Sequence, residues 1–188
     1  LNAAFLFSAM RSLEFFLSLA MNEKGRTVLA KMGWGVAGQP LHSMKTVHKS
    51  VLIWFSADEM FRLVTDVPSY PQFLPWCDRS AVRETWADGM VAEIGMAFSG
   101  FHKSFTTHNV RVPGRQVKLT LIDGPFNHLE GTWDFIALDP EQRACKVELT
   151  LNYSFESMFG ALVGPVFDRI ASTLVDAFVK RADQVYSS

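Results

Sequence analysis

The residues that could carry acid–base, nucleophilic or metal chemistry are scattered along this sequence. The histidines beyond residue 43 are His48, His102, His108 and His128. They share no HxxxH or HxxE spacing, and the chain has no GxSxG motif, phosphate-binding glycine loop or paired-carboxylate motif. We therefore predict no catalytic residues, and a binding protein rather than an enzyme. A cyclase that folds a reactive polyketide with few polar groups is the alternative.

The two cysteines give no sign of a structural bond or a metal site. Cys77 and Cys145 lie far apart and form neither a CxxC pair nor a zinc-ligand spacing. Free thiols of this kind are typical of a reducing cytoplasm. We expect no metal, no required cofactor and a cytoplasmic protein.

The charge balance disfavours nucleic acid as the main ligand. Lysine and arginine number 18 against 19 aspartates and glutamates, so the polycationic surface that binds a phosphate backbone is lacking. Four basic residues near one another in the sequence still suggest either a local basic patch or an ordinary solvated sheet face: Lys103, Arg111, Arg115 and Lys118.

The most unusual stretch is apolar. "DVPSYPQFLPWC" at 66–77 combines three prolines with Tyr70, Phe73, Leu74 and Trp76. Proline excludes a long helix or a central strand here, so we predict a short, stiffened helical turn. Its large side chains either plug the end of a core or form the lip of a pocket, and we favour the lip.

The surrounding elements predict an α+β fold. "KTVHKSVLIWF" at 45–55 is typical of a strand, Ser56 and Glu59 form a capping box, and Pro68 ends the helix that follows. Period-two patterns separated by turn signals then predict about six antiparallel strands. The C-terminal 30 residues have one apolar helical face that includes Phe159, with a kink or break expected at Gly164 and Pro165.

A long helix against a bent sheet leaves a wedge that is filled either by large side chains or by a ligand. The residues expected to line this wedge are Phe98, Phe105, Trp133, Phe135, Tyr153, Phe155, Val166, Phe167 and Ile170, with Tyr70, Phe73, Leu74 and Trp76 at its lip. Candidates for contact with a ligand's polar headgroup are Asn109, Asn127 and Tyr153. On the same registers, His102, His108 and His128 fall on the solvent-facing side of the sheet.

Three segments identify a resemblance: "YPQFLPWC" at 70–77, "DGPFNHLEGTWDF" at 123–135 and "VFDRIASTLVDAFVKRA" at 166–182. From residue 44 to about 186 the chain resembles the coenzyme Q-binding, START-like proteins of the polyketide cyclase superfamily, within them the bacterial RatA branch of ribosome association toxins or oligoketide cyclases. The resemblance implies a helix-grip (START-like, Bet v-like) fold with an apolar cavity under the C-terminal helix.

The resemblance also implies a location and a function. The location is the cytoplasm of a bacterium, with a peripheral position at the inner membrane as the alternative. We expect the chain to bind ubiquinone or a related isoprenoid or polyketide lipid, and so to support respiratory electron transport, with contact to a membrane surface during ligand exchange. One alternative is a toxin of a toxin–antitoxin system that binds the large ribosomal subunit and blocks subunit joining. A second is a polyketide cyclase or aromatase.

Residues 1–43 have no counterpart in this resemblance. The stretch "AAFLFSAMRSLEFFLSLAM" is apolar, but Arg11 and Glu14 interrupt it short of a membrane span. We expect a domain at 44–188 preceded by an extension that is either upstream of a natural start at Met44, loosely attached, or a weak transit peptide.

Overall fold

The computed structural model describes residues 44–187 except 99, 142 and 156; the side chains of 98, 101, 157–159, 161 and 162 are likewise not described. The predictions made for residues 1–43, and for the side chains of Phe98 and Phe159, lie outside the described residues. The extension before residue 44 therefore stays a prediction.

Seven strands and two α-helices make up the described fold. The strands are β1 (Lys45–Ile53), β2 (Cys77–Trp86), β3 (Gly89–Phe98), β4 (Phe101–Val112), β5 (Gln116–Asp123), β6 (Phe126–Ala137) and β7 (Cys145–Phe155). The helices are α1 (Ala57–Thr65), a 3₁₀ helix (Val67–Gln72) and α2 (Ser157–Tyr186). This order matches the prediction of one strand, short helices, six strands and a long helix.

All seven strands pair antiparallel in the order β1-β7-β6-β5-β4-β3-β2. The segment from α1 to the 3₁₀ helix joins the two edge strands, so it passes from one side of the curved sheet to the other. Alternation places one set of side chains under α2 and the other in solvent. The α+β prediction is confirmed.

Helix α1 begins as predicted. The Ser56 side chain accepts from the Glu59 amide at 3.1 Å, and the Glu59 carboxylate accepts from the Ser56 amide at 2.7 Å. This reciprocal capping box satisfies two amides that the first helical turn leaves without partners. Met60, Leu63 and Val64 then point into the core.

The C-terminal helix does not break at Gly164 and Pro165. Helix α2 runs without interruption from Ser157 to Tyr186 with Pro165 inside it, so the predicted break is wrong. Proline removes one backbone hydrogen bond near the helix start, and the packing of the remaining length against the sheet sustains the helix. A kink without a break at this point stays a prediction. None of the described helices is long and apolar enough to cross a membrane.

Candidate functional site

An apolar cavity of about 80 Å³ lies between the inner face of β3–β7 and the middle of α2. Its wall on the helix begins at Phe167, after Pro165, and continues through Ile170, Ala171 and Leu174. Four of its lining residues are half-buried rather than buried: Trp76, Ile94, Leu119 and Leu174. For scale, a cavity of roughly 150 Å³ holds a benzene ring. A ring therefore enters this cavity only with some rotation of the lining side chains, and any longer tail extends through the mouth.

The predicted site residues divide into two groups. Those that line the cavity are Tyr70, Leu74, Trp76, Phe105, Trp133, Phe167 and Ile170. Those with described side chains that lie outside its lining are Phe73, Phe135, Tyr153, Phe155 and Val166. Contact with a ligand stays a prediction for all of them.

The proline-rich stretch contributes to both cavity and core. It forms the 3₁₀ helix Val67–Gln72, as expected of a proline-stiffened turn. The Tyr70 hydroxyl donates to the Val64 carbonyl at 2.6 Å, which fixes the ring in the cavity wall. Phe73 instead packs edge-on against Phe178 of α2 at 5.1 Å, while Trp76 lines the cavity. Phe73 thus packs in the core and Trp76 lines the cavity; that Trp76 forms a lip stays a prediction.

Beside the cavity lies a group of buried rings in mutual contact, which we call the aromatic cluster: Phe126, Tyr153, Phe155 and Phe167. The Phe126 ring stacks on Phe155 at 4.7 Å and meets Phe167 edge-on at 5.0 Å. Phe167 also meets Tyr153 at 4.8 Å, so its ring forms a partition between the aromatic cluster and the cavity.

A hydrogen bond and a salt bridge hold α2 over the aromatic cluster. Asp168 of α2 accepts from the Tyr153 hydroxyl at 2.6 Å and from the Lys45 ammonium at 2.6 Å. Burial, and then the neighbouring Asp168 carboxylate, raise the pKa of Tyr153 above its ordinary value, so the hydroxyl keeps its proton. Tyr153 therefore has a structural partner, which leaves the predicted headgroup contact unsupported.

One predicted headgroup residue does reach the cavity. Asn109 lies on the inner face of β4 and lines the cavity together with Thr107, two residues earlier on the same face. Asn109 is 7% exposed and Thr107 is 2% exposed. The Asn109 Oδ1 atom is shielded from solvent and has no hydrogen-bond partner among the described residues. Asn127, by contrast, is exposed and donates to the Phe155 carbonyl at 3.0 Å.

The lining offers little for acid–base chemistry. It contains none of the histidine, cysteine, lysine, arginine, aspartate or glutamate residues of the described chain. Its titratable group is the hydroxyl of Tyr70, whose pKa burial raises above the ordinary value and which already donates to Val64. No group of three metal-ligating side chains occurs among the described residues. What the cavity can do is enclose apolar surface and meet one polar group.

The four basic residues suggested as a patch do not share a face. Lys103 and Arg111 have the parity of the buried Phe105 on β4, whereas Lys118 alternates with the buried Val117 and faces solvent. Lys103 and Arg111 are also roughly 26 Å apart along the strand, at 3.3 Å per residue. Arg111 donates to the carbonyls of Trp86 and Gly89, which holds it against the sheet. A single basic patch built from all four is therefore wrong.

Several cavity residues escaped sequence reasoning. The main ones are Ile94, Thr107, Leu119, Leu129, Leu151, Ala171 and Leu174. A glycine at an inward-facing position of β6 is a sequence signal that could have identified two of them. At Gly131, on the inner face of β6, an added Cβ would lie 2.9 Å from Leu151 and 3.2 Å from Leu119, both cavity residues. Because Gly131 has no side chain, these two leucines close over its backbone.

A curved antiparallel sheet that grips a long C-terminal helix over an apolar cavity is the helix-grip, START-like fold. The chain belongs to the family described as "Polyketide cyclase / dehydrase and lipid transport", which it matches over residues 53–179. The resemblance inferred from the three segments is confirmed.

Individual relatives differ in what their names say they do. Ribosome association toxin RatA of Vibrio cholerae is 46% identical over 144 residues, which cover 76% of this chain and 99% of that protein. Coenzyme Q-binding protein COQ10 homolog B, a mitochondrial protein of Xenopus laevis, is 30% identical over 152 residues, 78% of this chain and 62% of that protein. The crystal structure of the Zhui aromatase/cyclase from Streptomyces sp. R1128 matches with a TM-score of 0.66 at 18% identity, covering 76% of this chain and 95% of that one. This last likeness concerns the fold alone.

Proposed function

We propose that the chain binds an isoprenoid quinone, ubiquinone or a close relative, and holds the ring in the cavity with the tail leading out past Trp76. The observation that carries the proposal is the composition of the cavity wall, which is apolar except for Tyr70, Thr107 and Asn109 and contains no charged side chain. The name of the Xenopus relative, coenzyme Q-binding, supports the same ligand class.

Magnitudes favour a ligand with a tail over a bare ring. Each buried methylene contributes about 0.8 kcal/mol, so a five-carbon isoprene unit contributes about 4 kcal/mol. Association itself costs about 4–15 kcal/mol in lost freedom of motion. A ring in a cavity of about 80 Å³ therefore binds weakly, and contact between the first tail units and the half-buried side chains at the mouth supplies the rest.

Extraction tests the proposal. The full chain is purified under mild conditions from a quinone-producing host, and its lipid extract is analysed by mass spectrometry; near-stoichiometric quinone is the expected result. Ala171→Leu, which fills the cavity from a helix position, should remove the quinone. Ala177→Leu, on the same helix but outside the lining, should retain it. A quinone-free protein that also fails to take up added quinone would refute the proposal.

A second candidate is association with the ribosome. It is favoured by the 46% identity to the Vibrio protein, over nearly the whole of that protein, whose name states this activity. Residues 44–188 hold 14 lysines and arginines against 17 aspartates and glutamates, so general attraction to RNA is not its basis. Sedimentation with ribosomal subunits at low and raised salt tests it: co-sedimentation with the large subunit is expected, and its absence at low salt would exclude the candidate.

The cyclase alternative has support in the family description but not in the cavity. The described lining provides no acid or base beyond a Tyr70 hydroxyl that already donates to Val64, so a cyclase of this kind would act by shaping its substrate alone.

A further inference from the structure

The cavity contains a polar feature that the fold does not use. Asn109 interrupts an otherwise apolar part of the inner face: its cross-strand neighbours are Met90 on β3 and Leu119 on β5. Asparagine is disfavoured in strands, and a buried carbonyl oxygen without a donor destabilises the fold on which it occurs. A buried orphan of this kind in the wall of a cavity indicates a partner that arrives from outside the chain.

Bound water does not account for the cavity as a whole. A buried water molecule needs two to four polar neighbours, which the amide of Asn109 and the hydroxyl of Thr107 supply at one point of an otherwise apolar wall. The cross-strand neighbours of Thr107 are Ala92 and Leu121, which are apolar as well. A ligand that brings its own apolar surface suits these walls better than water does.

The chemistry of the orphaned atom selects the ligand group. An amide oxygen can only accept a hydrogen bond, so its complement is an O–H or N–H donor. The two ring oxygens of a quinone can only accept, whereas those of the reduced hydroquinone can donate. Resting on the proposed function, we infer that the cavity recognises the reduced, hydroxyl-bearing form of an isoprenoid quinone, with one ring hydroxyl donating to Asn109 Oδ1 beside Thr107.

This assignment fixes the orientation of the ligand. Thr107 and Asn109 lie on β4 with further strands on both sides, whereas Trp76 is half-buried and directly precedes the edge strand β2. The ring therefore enters first and its hydroxyl meets the sheet, while the isoprenoid tail points outward.

A matched pair of ligands tests the inference. Decylubiquinol and decylubiquinone share one carbon skeleton and differ in the two ring O–H groups, and both are titrated anaerobically into the full chain by calorimetry. We expect the wild type to prefer the reduced form. Asn109→Leu, which keeps the branched shape but removes the acceptor, should lower that preference by about 5- to 30-fold, the range for one buried hydrogen bond.

A second asparagine provides the control. Asn127→Leu makes the same chemical change outside the cavity lining and should leave the preference unchanged. If both forms bind and Asn109→Leu alters their affinities equally, the inference is wrong while the proposed function stands. If neither form binds the wild type, the proposed function fails and the inference fails with it.

Discussion

The aromatic cluster and the cavity adjoin one another on the inner face of one sheet, under one helix, and are built from similar residues. In the aromatic cluster the Phe126, Phe155 and Phe167 rings meet at 4.7 to 5.4 Å, and Asp168 fastens the helix above them. The cavity wall also carries rings, among them Tyr70, Phe105, Trp133 and Phe178, but these leave space unfilled, and a buried amide oxygen has no partner among the described residues. The difference indicates that the first region is packed core, whereas the second leaves space for the ligand that we propose.

The largest expected effects come from two substitutions, one in the core and one in the cavity wall, that separate protein stability from ligand binding. Phe135→Ala removes a ring packed against Phe61 and Trp133 but outside the cavity lining, so it should cost about 3–5 kcal/mol in the free energy of unfolding and leave ligand affinity unchanged. Trp76→Ala, at the mouth, should weaken quinol binding with a far smaller loss of stability. Urea denaturation and calorimetry measure the two effects, and a stability loss at Trp76 equal to that at Phe135 would contradict the assignment.

Two buried leucines on neighbouring strands allow the packing of the core to be compared with the packing of the cavity wall. Leu149 of β7 lies outside the cavity lining and Leu129 of β6 lines it; both are almost fully buried. A leucine that already borders empty space loses fewer contacts on truncation. We expect Leu149→Ala to cost about 4–5 kcal/mol and Leu129→Ala about 2–3 kcal/mol in chemical denaturation. Equal costs would mean that the cavity wall is as tightly packed as the rest of the core.

The side chain of Asn109 should lower the stability of the ligand-free protein while contributing to ligand binding. Asn109→Leu removes a buried acceptor that lacks a donor, so the ligand-free protein should gain about 1–2 kcal/mol in the free energy of unfolding. Thr107→Val is the matched change at the adjacent inward position. Thermal unfolding of the ligand-free variants measures both, and a large destabilisation by Asn109→Leu would show that the amide serves the fold.

The two cysteines compare the surroundings of the cavity with a part of the core away from it. Cys77 begins β2 beside the cavity residues Leu74 and Trp76, and Cys145 begins β7, at the opposite end of that strand from the aromatic cluster. Burial raises the pKa of each thiol from 9.0 to about 11, so both are protonated near pH 8 and are labelled mainly when the local structure opens. Timed labelling at pH 8, read by peptide mass spectrometry, should modify Cys77 first. Simultaneous labelling would contradict greater mobility around the cavity.

The same pKa shifts set an alkaline limit to stability. A thiol whose pKa is higher in the folded protein than in the unfolded chain favours folding below the unfolded value, and this contribution is lost as the pH rises through the folded value. Unfolding free energy should therefore decline between pH 9.0 and about 11, at both cysteines alike.

Much of the fold followed from the sequence because local rules determine it. Ser56 and Glu59 carry the capping signature, and alternation along β7 identified the buried side chains from Val147 to Phe155, although the residues between them are half-buried and Ser154 is buried as well. The helix does not break at Pro165, because tertiary packing outweighs the one backbone hydrogen bond that proline cannot donate. The division between cavity and core could not be read in this way, since Phe73 and Trp76 look alike in sequence and differ only in what α2 places opposite them.

The sequence was likewise insufficient to choose among the residues predicted to contact a polar headgroup. Asn109, Asn127 and Tyr153 were equivalent candidates on composition alone. The structure distinguishes them through their partners, because Tyr153 donates to Asp168, Asn127 donates to Phe155, and Asn109 Oδ1 has no partner among the described residues. Partners of this kind join distant parts of the chain, and no local pattern encodes them.

The most direct test of the division between cavity and core is a methyl NMR titration of the full chain with decylubiquinol. We expect saturable shifts at the methyl groups of Leu119, Leu129 and Ile170, which line the cavity. We expect no change at Val147 and Leu149, which are fully buried outside the lining. Shifts centred on Val147 and Leu149, or no saturable shift at any methyl group, would contradict the division between cavity and core.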